Sequence, residues 1–423
     1  MALELGDNER AIINGSKGEG AAMALRIVAR TAELMGARRL IPIASAHIDG
    51  ALYHGDSGTY FAEKLVEGQA KVSVRATLNV GSLDLTGCSG NRLPAHQAAM
   101  AKRMMRAYIR LGCEPSWTCA PYQAGHRPLT GTDVAWGESN AVVFCNSVLG
   151  ARTNRYGDYL DIACAIAGLA PDYGLHRPEN RRATVLVDIS ELNSQILRQP
   201  VVWPVLGNLY GRLIGDSIGV IAGHILNDLA EDDLKAFGAA AASSGAVGLF
   251  HVAGRTPEAP DSATALHGSA PLETIKITSQ MLQDARRHLS TVIAEQIDAV
   301  AIGSPHLSLA EFDALEAVIA ERQLAVPLYA CTGRHVLREL DKDNRRQRLE
   351  RAGVIIVADT CVVVTPILPE KAGAVLMTNS GKFAHYAPGN TGYGVVYGSL
   401  SECVESAVSG RVCFSTGQGD RHG

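Results

Sequence analysis

The C-terminal third of the chain repeats a short pattern of apolar strand, polar loop and helix. Strands are predicted over 298–303, 325–330 and 354–358, so the units recur every 27 to 30 residues. Ser308 and Glu311 form a capping box that opens the helix after the first strand. Successive βα units of this length build a parallel sheet with right-handed crossovers. The pattern therefore predicts an α/β fold whose strand-to-helix loops gather along one carboxyl edge.

Several side chains that could bind a metal or a polar ligand fall where these strands are predicted to end. Ser304, Cys331 and Cys361 each follow a strand, and a fourth strand over 374–377 leads to Lys382. We expect their loops to face a common crevice. A lysine beside the free N–H groups of a helix start favours a carboxylate or phosphate, although the spacing of a Walker phosphate loop is absent.

The chain is too long for a single hydrophobic core. Its 423 residues predict two or three domains of roughly 100–200 residues each, and we place them at 1–180, 181–290 and 291–423. A composition of 47% apolar and 19% charged residues, with 43 glycines, favours closely packed α/β domains over a coiled coil or a disordered chain. The first region carries the Cys119 loop and the last carries the βα repeats.

Charge and hydropathy argue against nucleic-acid and membrane partners. The formal net charge is −4 and no long run of Lys or Arg occurs, which disfavours a nucleic-acid surface; the basic patch at 345–348 is interpreted as a solvated helix face. Residues 1–10 contain acids and no apolar segment, and no apolar stretch reaches the roughly 20 residues of a membrane span. We expect a cytoplasmic protein.

Nine cysteines in a cytoplasmic chain are expected to be reduced. None forms a Cys-x-x-Cys pair, so any metal site must combine cysteines that lie far apart in sequence. Cys119, in a long loop over 114–137, could reach the same crevice as Cys331 and Cys361. The others have no special setting and are interpreted as core or surface thiols: Cys88, Cys113, Cys145, Cys164, Cys403 and Cys413.

Polar side chains also follow two strands near the N-terminus. A strand over 40–44 leads to the segment 45–50, and a strand over 71–76 leads to Thr77, Leu78 and Asn79. His47 and His306 both lie just beyond a predicted strand end, a position that favours a polar site over a packed core.

Six short segments of the sequence resemble the aconitase X family, and they follow one another in the order found in that family. The resemblance implies an aconitase-like, multi-domain α/β architecture with parallel or mixed sheets, lacking the small swivelling domain. It implies an iron–sulfur cluster, a dehydratase reaction and a small swivelling domain that is either fused or supplied as a separate subunit. We expect a separate small swivel-domain subunit here, whose loop, by the same resemblance, supplies the serine base. The segments are residues 45–50 (SAHIDG), 119–122 (CAPY), 135–141 (AWGESNA), 146–154 (NSVLGARTN), 305–309 (PHLSL) and 379–386 (NSGKFAHY).

The family includes enzymes that dehydrate cis-3-hydroxy-L-proline and enzymes that dehydrate mevalonate 5-phosphate. Many members, notably the second type, have cysteine before Pro-His, where this chain has Ser304. Serine is a poor iron ligand, so the resemblance favours a smaller 2Fe–2S cluster held by Cys119 and Cys361, with Cys331 as a possible third ligand. It favours formation of 1-pyrroline-2-carboxylate from cis-3-hydroxy-L-proline, with mevalonate 5-phosphate as the alternative substrate.

We assign roles on the same basis. Lys382 and His306 are the expected catalytic residues, His306 as the proton donor to the leaving hydroxyl, and Arg152 and Lys382 are the expected partners of the substrate carboxylate. A different class of function, an iron–sulfur regulatory or RNA-binding protein, and an apo scaffold remain alternatives. The expected substrate-binding residues are Ser45, His47, Thr77, Asn79, Glu138, Asn140, Arg152, Ser304 and Ser380.

Overall fold

The structure is a computed structural model that describes residues 3–87, 89–225 and 228–415. Its N-terminal region contains a parallel sheet of order β3-β2-β4 and an antiparallel pair, β1-β5. The elements are α1 (Asp7–Ile13), α2 (Glu19–Met35), β1 (Leu40–Pro42), β2 (Ser45–Ile48), α3 (Asp56–Glu67), β3 (Arg75–Leu78), α4 (Ala95–Arg110), a 3-10 helix (Pro121–Ala124), β4 (Ala135–Trp136), α5 (Ser139–Ser147), α6 (Leu160–Ala167), β5 (Leu169–Pro171) and two 3-10 turns (Gly174–His176 and Pro178–Arg181).

The middle region is built on a second parallel sheet, of order β8-β7-β6-β9. Helices α8 and α9 pack against each other beside it. The elements are β6 (Val185–Asp188), α7 (Ser194–Leu197), α8 (Val202–Ile214), β7 (Gly219–Ala222), α9 (Glu231–Ser244), β8 (His251–Val252), α10 (Ser262–Ala265), β9 (Glu273–Lys276) and α11 (Ser279–His288).

The C-terminal region has a five-stranded sheet of order β12-β11-β10-β13-β14, and every neighbouring pair is parallel. The predicted α/β fold with parallel sheets is confirmed. The elements are β10 (Ala299–Leu307), α12 (Leu309–Ile319), β11 (Leu328–Thr332), α13 (Arg334–Lys342), α14 (Arg345–Ala352), β12 (Val354–Ala358), β13 (Val375–Thr378), α15 (Gly381–Thr391), β14 (Gly394–Tyr397) and α16 (Leu400–Ser409).

Two strands of this sheet extend further than the sequence predicts. Strand β10 continues through Ser304 to Leu307, where a turn is expected, and Cys331 lies inside β11 instead of after it. Each residue of β10 is buried, and the pairing of β10 with β11 shifts register between Ile302 and Leu307. Polar residues can remain in this central strand because neighbouring groups satisfy their hydrogen bonds, so polarity did not mark its end.

The N-terminal strands differ from the prediction in the same way. The segment over 40–44 is not one strand: β1 ends at Pro42, and Ser45–Ile48 forms β2 in a different sheet. Strand β3 likewise includes Thr77. Ser45, His47 and Thr77 are therefore strand residues, and the residues that follow the strands are Asp49 and Asn79.

One hydrophobic core extends from the middle region into the C-terminal region. One cluster of buried residues joins the middle and C-terminal regions and includes Val185, Phe237, Tyr329 and Phe383. Because this cluster crosses residue 290, the two sheets pack as one body, and the boundaries at 180 and 290 stay a prediction. Within the described ranges, no helix combines the length and apolar character that crossing a membrane needs.

Gly303 is the point at which β10 can pass close to β11. Its φ is +92°, and a Cβ built there would lie 2.2 Å from the carbonyl oxygen of Cys331. We expect Gly303→Ala to lower the free energy of unfolding by roughly 1–3 kcal/mol more than Gly373→Ala, because overpacking adds to backbone strain. Gly373 is the matched control: its φ is +71°, with no atom within 4 Å of the added Cβ. Equal losses in urea denaturation would contradict the close approach.

Candidate active site

The carboxyl edge of the N-terminal sheet brings three polar side chains together. Asp49 follows β2, Asn79 follows β3 and Glu138 lies just beyond β4. The Asn79 amide donates to Asp49 Oδ1 and, over 3.2 Å, to Glu138 Oε2. The sheet order β3-β2-β4 places these strand ends side by side, which is why residues so distant in sequence meet.

Lys382 reaches this group from the C-terminal sheet. It lies in the first turn of α15, after β13, and its Nζ is 2.5 Å from Glu138 Oε1. Each side chain of this ion pair is only 12% exposed. Glu138 also caps α5, because Oε1 accepts from the backbone N–H of Asn140 at 3.2 Å and from its side-chain amide at 3.0 Å. The carboxyl edges of two sheets therefore face each other across one ion pair.

The pair is charged despite its burial. Burial alone would raise the pKa of Glu138, but the charge and hydrogen bond of Lys382 lower this pKa to about 2. Burial alone would lower the pKa of Lys382, but the charge of Glu138 outweighs burial and raises the pKa of Lys382. A carboxylate and an ammonium are thus both present at neutral pH.

Three buried polar atoms near the pair have no hydrogen-bond partner in the described part of the chain. They are Asn79 Oδ1, Asn140 Oδ1 and His47 Nε2. Glu138 is close enough to His47 to favour protonation of the ring, although burial, the larger effect, lowers its pKa to about 3. Buried polar atoms are almost always hydrogen-bonded. These atoms thus have bonding capacity available for a ligand.

His47 is one end of a chain of hydrogen bonds. Strand pairing places it opposite Thr77 on one side and Trp136 on the other. His47 Nδ1 lies 2.8 Å from Thr77 Oγ1, which lies 2.7 Å from Nδ1 of His126. His126 Nε2 lies 2.8 Å from Ser45 Oγ. Ser45 and His47 are two residues apart in one strand and so share a face of the sheet.

Two thiols lie near Lys382. Cys119 Sγ accepts a hydrogen bond from the backbone N–H of His306 at 3.3 Å. Burial raises the pKa of Cys119 to about 12 and also raises that of Cys361, while Lys382 opposes the shift at both thiols. A cation and backbone donors are features that stabilise thiolate ligands.

The third expected ligand, Cys331, is fully buried within β11 and packs in the apolar core. Burial raises the pKa of its thiol, and Cys361 raises it further, so these two sulfurs are neighbours. Among residues 3–87, 89–225 and 228–415, no three His, Cys, Asp or Glu side chains are grouped closely enough to hold a metal ion. Ligation by all three cysteines would need their side chains to close on the metal.

Both ring nitrogens of His306 are engaged inside the protein. Its Nε2 donates to the Thr360 carbonyl at 3.2 Å, which leaves Nδ1 to accept from the Thr118 hydroxyl at 3.0 Å. Burial lowers the pKa of the ring to about 3, so it is neutral. The predicted donation of a proton from His306 would require one of these bonds to break.

The other expected site residues divide into two groups. Ser380 caps α15, and its hydroxyl donates to the Ser304 carbonyl, so both lie beside Lys382. Arg152 lies beside Gly131. Burial lowers the pKa of Arg181, and the nearby charge of Arg152 lowers it further. Arg152 has no described contact with Glu138 or Lys382, and its role with the substrate carboxylate stays a prediction.

The residues that sequence reasoning missed are Asp49, Thr118, His126 and Thr360. The only signal for His126 is its position in the loop over 114–137, which has the length and aromatic content of a functional loop. Of the thiols interpreted as structural, Cys113, Cys145, Cys164 and Cys403 are buried and Cys413 is half-buried. Cys88 lies outside the described residues.

The buried ion pair, the unpartnered polar atoms and the two thiols lie together where the two sheet edges face each other, and this region is the candidate active site. Three family models match the chain: aconitase X first domain over residues 2–179, second domain over 183–287 and third domain over 297–409. The chain therefore belongs to the aconitase X family, as its six segments predict.

Named relatives support the enzyme class. The chain is 43% identical over 407 residues to a cis-3-hydroxy-L-proline dehydratase of Pseudomonas aeruginosa, covering 95% of this chain and 70% of that one. It is 36% identical over 395 residues to the phosphomevalonate dehydratase large subunit of Methanothermobacter thermautotrophicus, covering 92% and 95%. The crystal structure of Thermococcus kodakaraensis aconitase X in its holo-form matches with a TM-score of 0.85 and 32% identity, over 96% and 100% of the two chains. The predicted aconitase-like fold and dehydratase class are confirmed.

Breaking the buried ion pair should destabilise the protein strongly. We expect Lys382→Met to lower the free energy of unfolding by about 3–5 kcal/mol, because it leaves the Glu138 carboxylate buried without its cation. The double variant Glu138→Gln with Lys382→Met should recover part of this loss. Arg127→Met is the control: its partner is Glu231, their side chains are 43% and 57% exposed, and the expected loss is below about 1 kcal/mol. Similar losses in urea unfolding for both single variants would contradict the buried pair.

Acid should destabilise the fold through His126. Burial lowers its pKa to about 4, whereas an unfolded histidine titrates near 6.5. Between these values the unfolded chain binds more protons than the folded one, so stability falls as pH falls through this window. Relative to His126→Gln, the wild type should lose up to about 1.4 kcal/mol of unfolding free energy per pH unit. Parallel curves of unfolding free energy against pH for the wild type and His126→Gln would contradict burial of a neutral His126.

Proposed function

We propose that this chain is the catalytic large subunit of an enzyme that dehydrates cis-3-hydroxy-L-proline to 1-pyrroline-2-carboxylate. The observation that carries the proposal is the buried Lys382–Glu138 pair, surrounded by unpartnered polar atoms where two sheet edges meet. Identity to a cis-3-hydroxy-L-proline dehydratase is 43%, against 36% to a phosphomevalonate dehydratase large subunit. Ser304, in place of the cysteine of many members, supports the same choice.

The charges of the pair suit an amino-acid substrate. A zwitterionic imino acid presents a carboxylate that Lys382 can bind and a ring ammonium that Glu138 can bind. The charged groups of mevalonate 5-phosphate, a carboxylate and a phosphate, are both anionic, and a buried carboxylate repels them. Binding energy at both ends of the zwitterion would fix the hydroxylated carbon in one orientation.

Elimination is difficult because hydroxide leaves poorly and the α-proton is weakly acidic. Lys382, held against the substrate carboxylate, would stabilise the negative charge that develops as the α-proton is removed. The amides of Asn79 and Asn140 would orient the substrate through their unpartnered oxygens. Ser304 and Ser380 would shape the wall beside Lys382. The enamine formed first would tautomerise to the cyclic imine.

The thiols support a bound iron–sulfur cluster. Cys119 and Cys361 would hold it, with Cys331 as third ligand, and a 2Fe–2S centre is the favoured form. Soft thiolates are the usual ligands of such clusters, and both thiols lie near Lys382. When bound, the cluster would supply a Lewis acid that assists departure of the hydroxyl group.

We further propose that a small swivel-domain subunit completes the site and contributes the serine base. The chain covers 95% of a relative that is named a large subunit, but only 70% of the Pseudomonas dehydratase. The unmatched part of the longer relative would correspond to this subunit. We place the complex in the cytoplasm.

Mevalonate 5-phosphate dehydration is the second candidate. Five phosphomevalonate dehydratase large subunits match this chain over 93–100% of their own length. These matches support the second substrate, whereas the charge pair favours the first.

The test is anaerobic co-expression of this chain with its small partner, followed by assays on both substrates. We expect dehydration of cis-3-hydroxy-L-proline, together with visible iron–sulfur absorbance. Cys361→Ala should abolish both absorbance and activity. Cys403→Ala, which alters a buried thiol on α16, is the control and should retain both. Turnover of mevalonate 5-phosphate alone would overturn the substrate assignment, and an active, colourless Cys361→Ala enzyme would overturn the cluster.

A further inference from the structure

The hydrogen-bonded chain that ends at His47 has the connectivity of a proton wire. It runs from Ser45 through His126 and Thr77 to His47, with three contacts of 2.7–2.8 Å. Every member can both donate and accept a proton. His47 Nε2 has no hydrogen-bond partner of good geometry among the described residues, although the Thr118 backbone carbonyl lies close enough to favour protonation of the ring. This nitrogen is the inner end of the series. His47 is fully buried, while Ser45 is 6% exposed, so this series of hydrogen bonds leads from the buried site towards the surface.

We propose that Ser45, His126 and Thr77 relay protons to and from His47, and that His47 is the proton donor to the leaving hydroxyl. The inference rests on the proposed dehydration. Under this proposal His126 has a function, and Ser45 and Thr77, which the sequence predicts to bind substrate, transfer protons instead. These two side chains already bond to the histidine rings on the face of the sheet that carries His47.

The protonation states require a relay of this kind. Burial lowers the pKa of His47 to about 3 and that of His126 to about 4, so both rings are neutral at pH 7. A neutral imidazole that loses its only N–H proton would become an imidazolate, which is strongly unfavourable. His47 can therefore donate from Nε2 only if Nδ1 receives a proton in the same step. Thr77 Oγ1 is placed to supply it.

The proton transfers balance along the chain. As the C–O bond breaks, its electron pair stays on oxygen, which takes the Nε2 proton of His47 and leaves as water. His47 Nδ1 takes the Thr77 proton, and Thr77 takes the Nδ1 proton of His126. His126 Nε2 takes the Ser45 proton, and Ser45 is refilled from solvent water. The proton removed from the α-carbon is first held by the serine base of the small subunit. After the product leaves, that proton passes to His47 Nε2, each group moves one proton outward and Ser45 returns one to solvent, which resets the relay.

Trp136 packs against both imidazole rings and holds them in the orientation that this transfer needs. Trp136 is fully buried, and its ring centroid lies 5.6 Å from that of His47 and 5.0 Å from that of His126. Because Trp136 pairs with His47 across β2 and β4, the same strand pairing that aligns Thr77 also aligns the tryptophan. The rings therefore need little reorganisation during transfer.

The test compares Thr77→Val with Thr77→Ser in the complete enzyme with its small partner. Valine matches threonine in shape but breaks the relay, and serine restores the hydroxyl. We expect Thr77→Val to lower the single-turnover rate roughly 100-fold with little change in KM, and Thr77→Ser to recover most of that rate. A substrate-orienting Thr77 would instead raise KM, and that result would overturn the relay.

Solvent isotope effects provide a second readout that folding defects do not imitate. In mixtures of H₂O and D₂O, the wild-type single-turnover rate should depend on deuterium content along a curve, because several protons move together. His126→Gln, which keeps hydrogen-bonding groups but cannot pass a proton, should give a slower rate with a linear dependence. A linear wild-type dependence, or an unchanged His126→Gln rate, would overturn the relay. Failure of the wild-type complex to dehydrate either substrate would instead reject the proposed function.

Discussion

The Glu138–Lys382 ion pair is the interaction on which the geometry of the site depends. Glu138 follows a strand of the N-terminal sheet and caps helix α5. Lys382 follows a strand of the C-terminal sheet and lies in the first turn of helix α15. Two charges buried at this depth are tolerated only when they are paired and hydrogen-bonded. The pair thus fixes the separation of the two edges, and with it the space in which a small acid could bind.

A second buried cation supports the opposite side of the site. Lys235 of α9 bonds to Asp232 at 2.7 Å and to Glu311 of α12, and its ammonium lies 3.4 Å from the His306 carbonyl oxygen. The His306 N–H in turn contacts Cys119. The middle region therefore contributes to the site indirectly, because α9 supplies the charge that holds β10 against the Cys119 loop.

The sequence predicted the class of fold well and the limits of the strands less well. Regular βα spacing identified the C-terminal parallel sheet because helix and strand periodicities are local properties. Strand ends were misplaced at Ser304 and Cys331 because both strands are buried, so their polar residues resemble loop residues in sequence. The meeting of Glu138 with Lys382 depends on packing between sheets, which no local pattern encodes. His126 was missed because its partners lie 49 and 81 residues away.

Burial opposes charge on the titratable groups that surround the ion pair. Lys382 is already matched by Glu138, so additional charges nearby would be uncompensated. Burial lowers the pKa values of His47 and His306 and raises those of Cys119 and Asp49. Binding of iron would remove protons from the thiols and replace them with metal charge. A site in which burial opposes charge beyond one ion pair therefore suits a zwitterion, whose two charges cancel, better than a substrate that carries both a carboxylate and a phosphate.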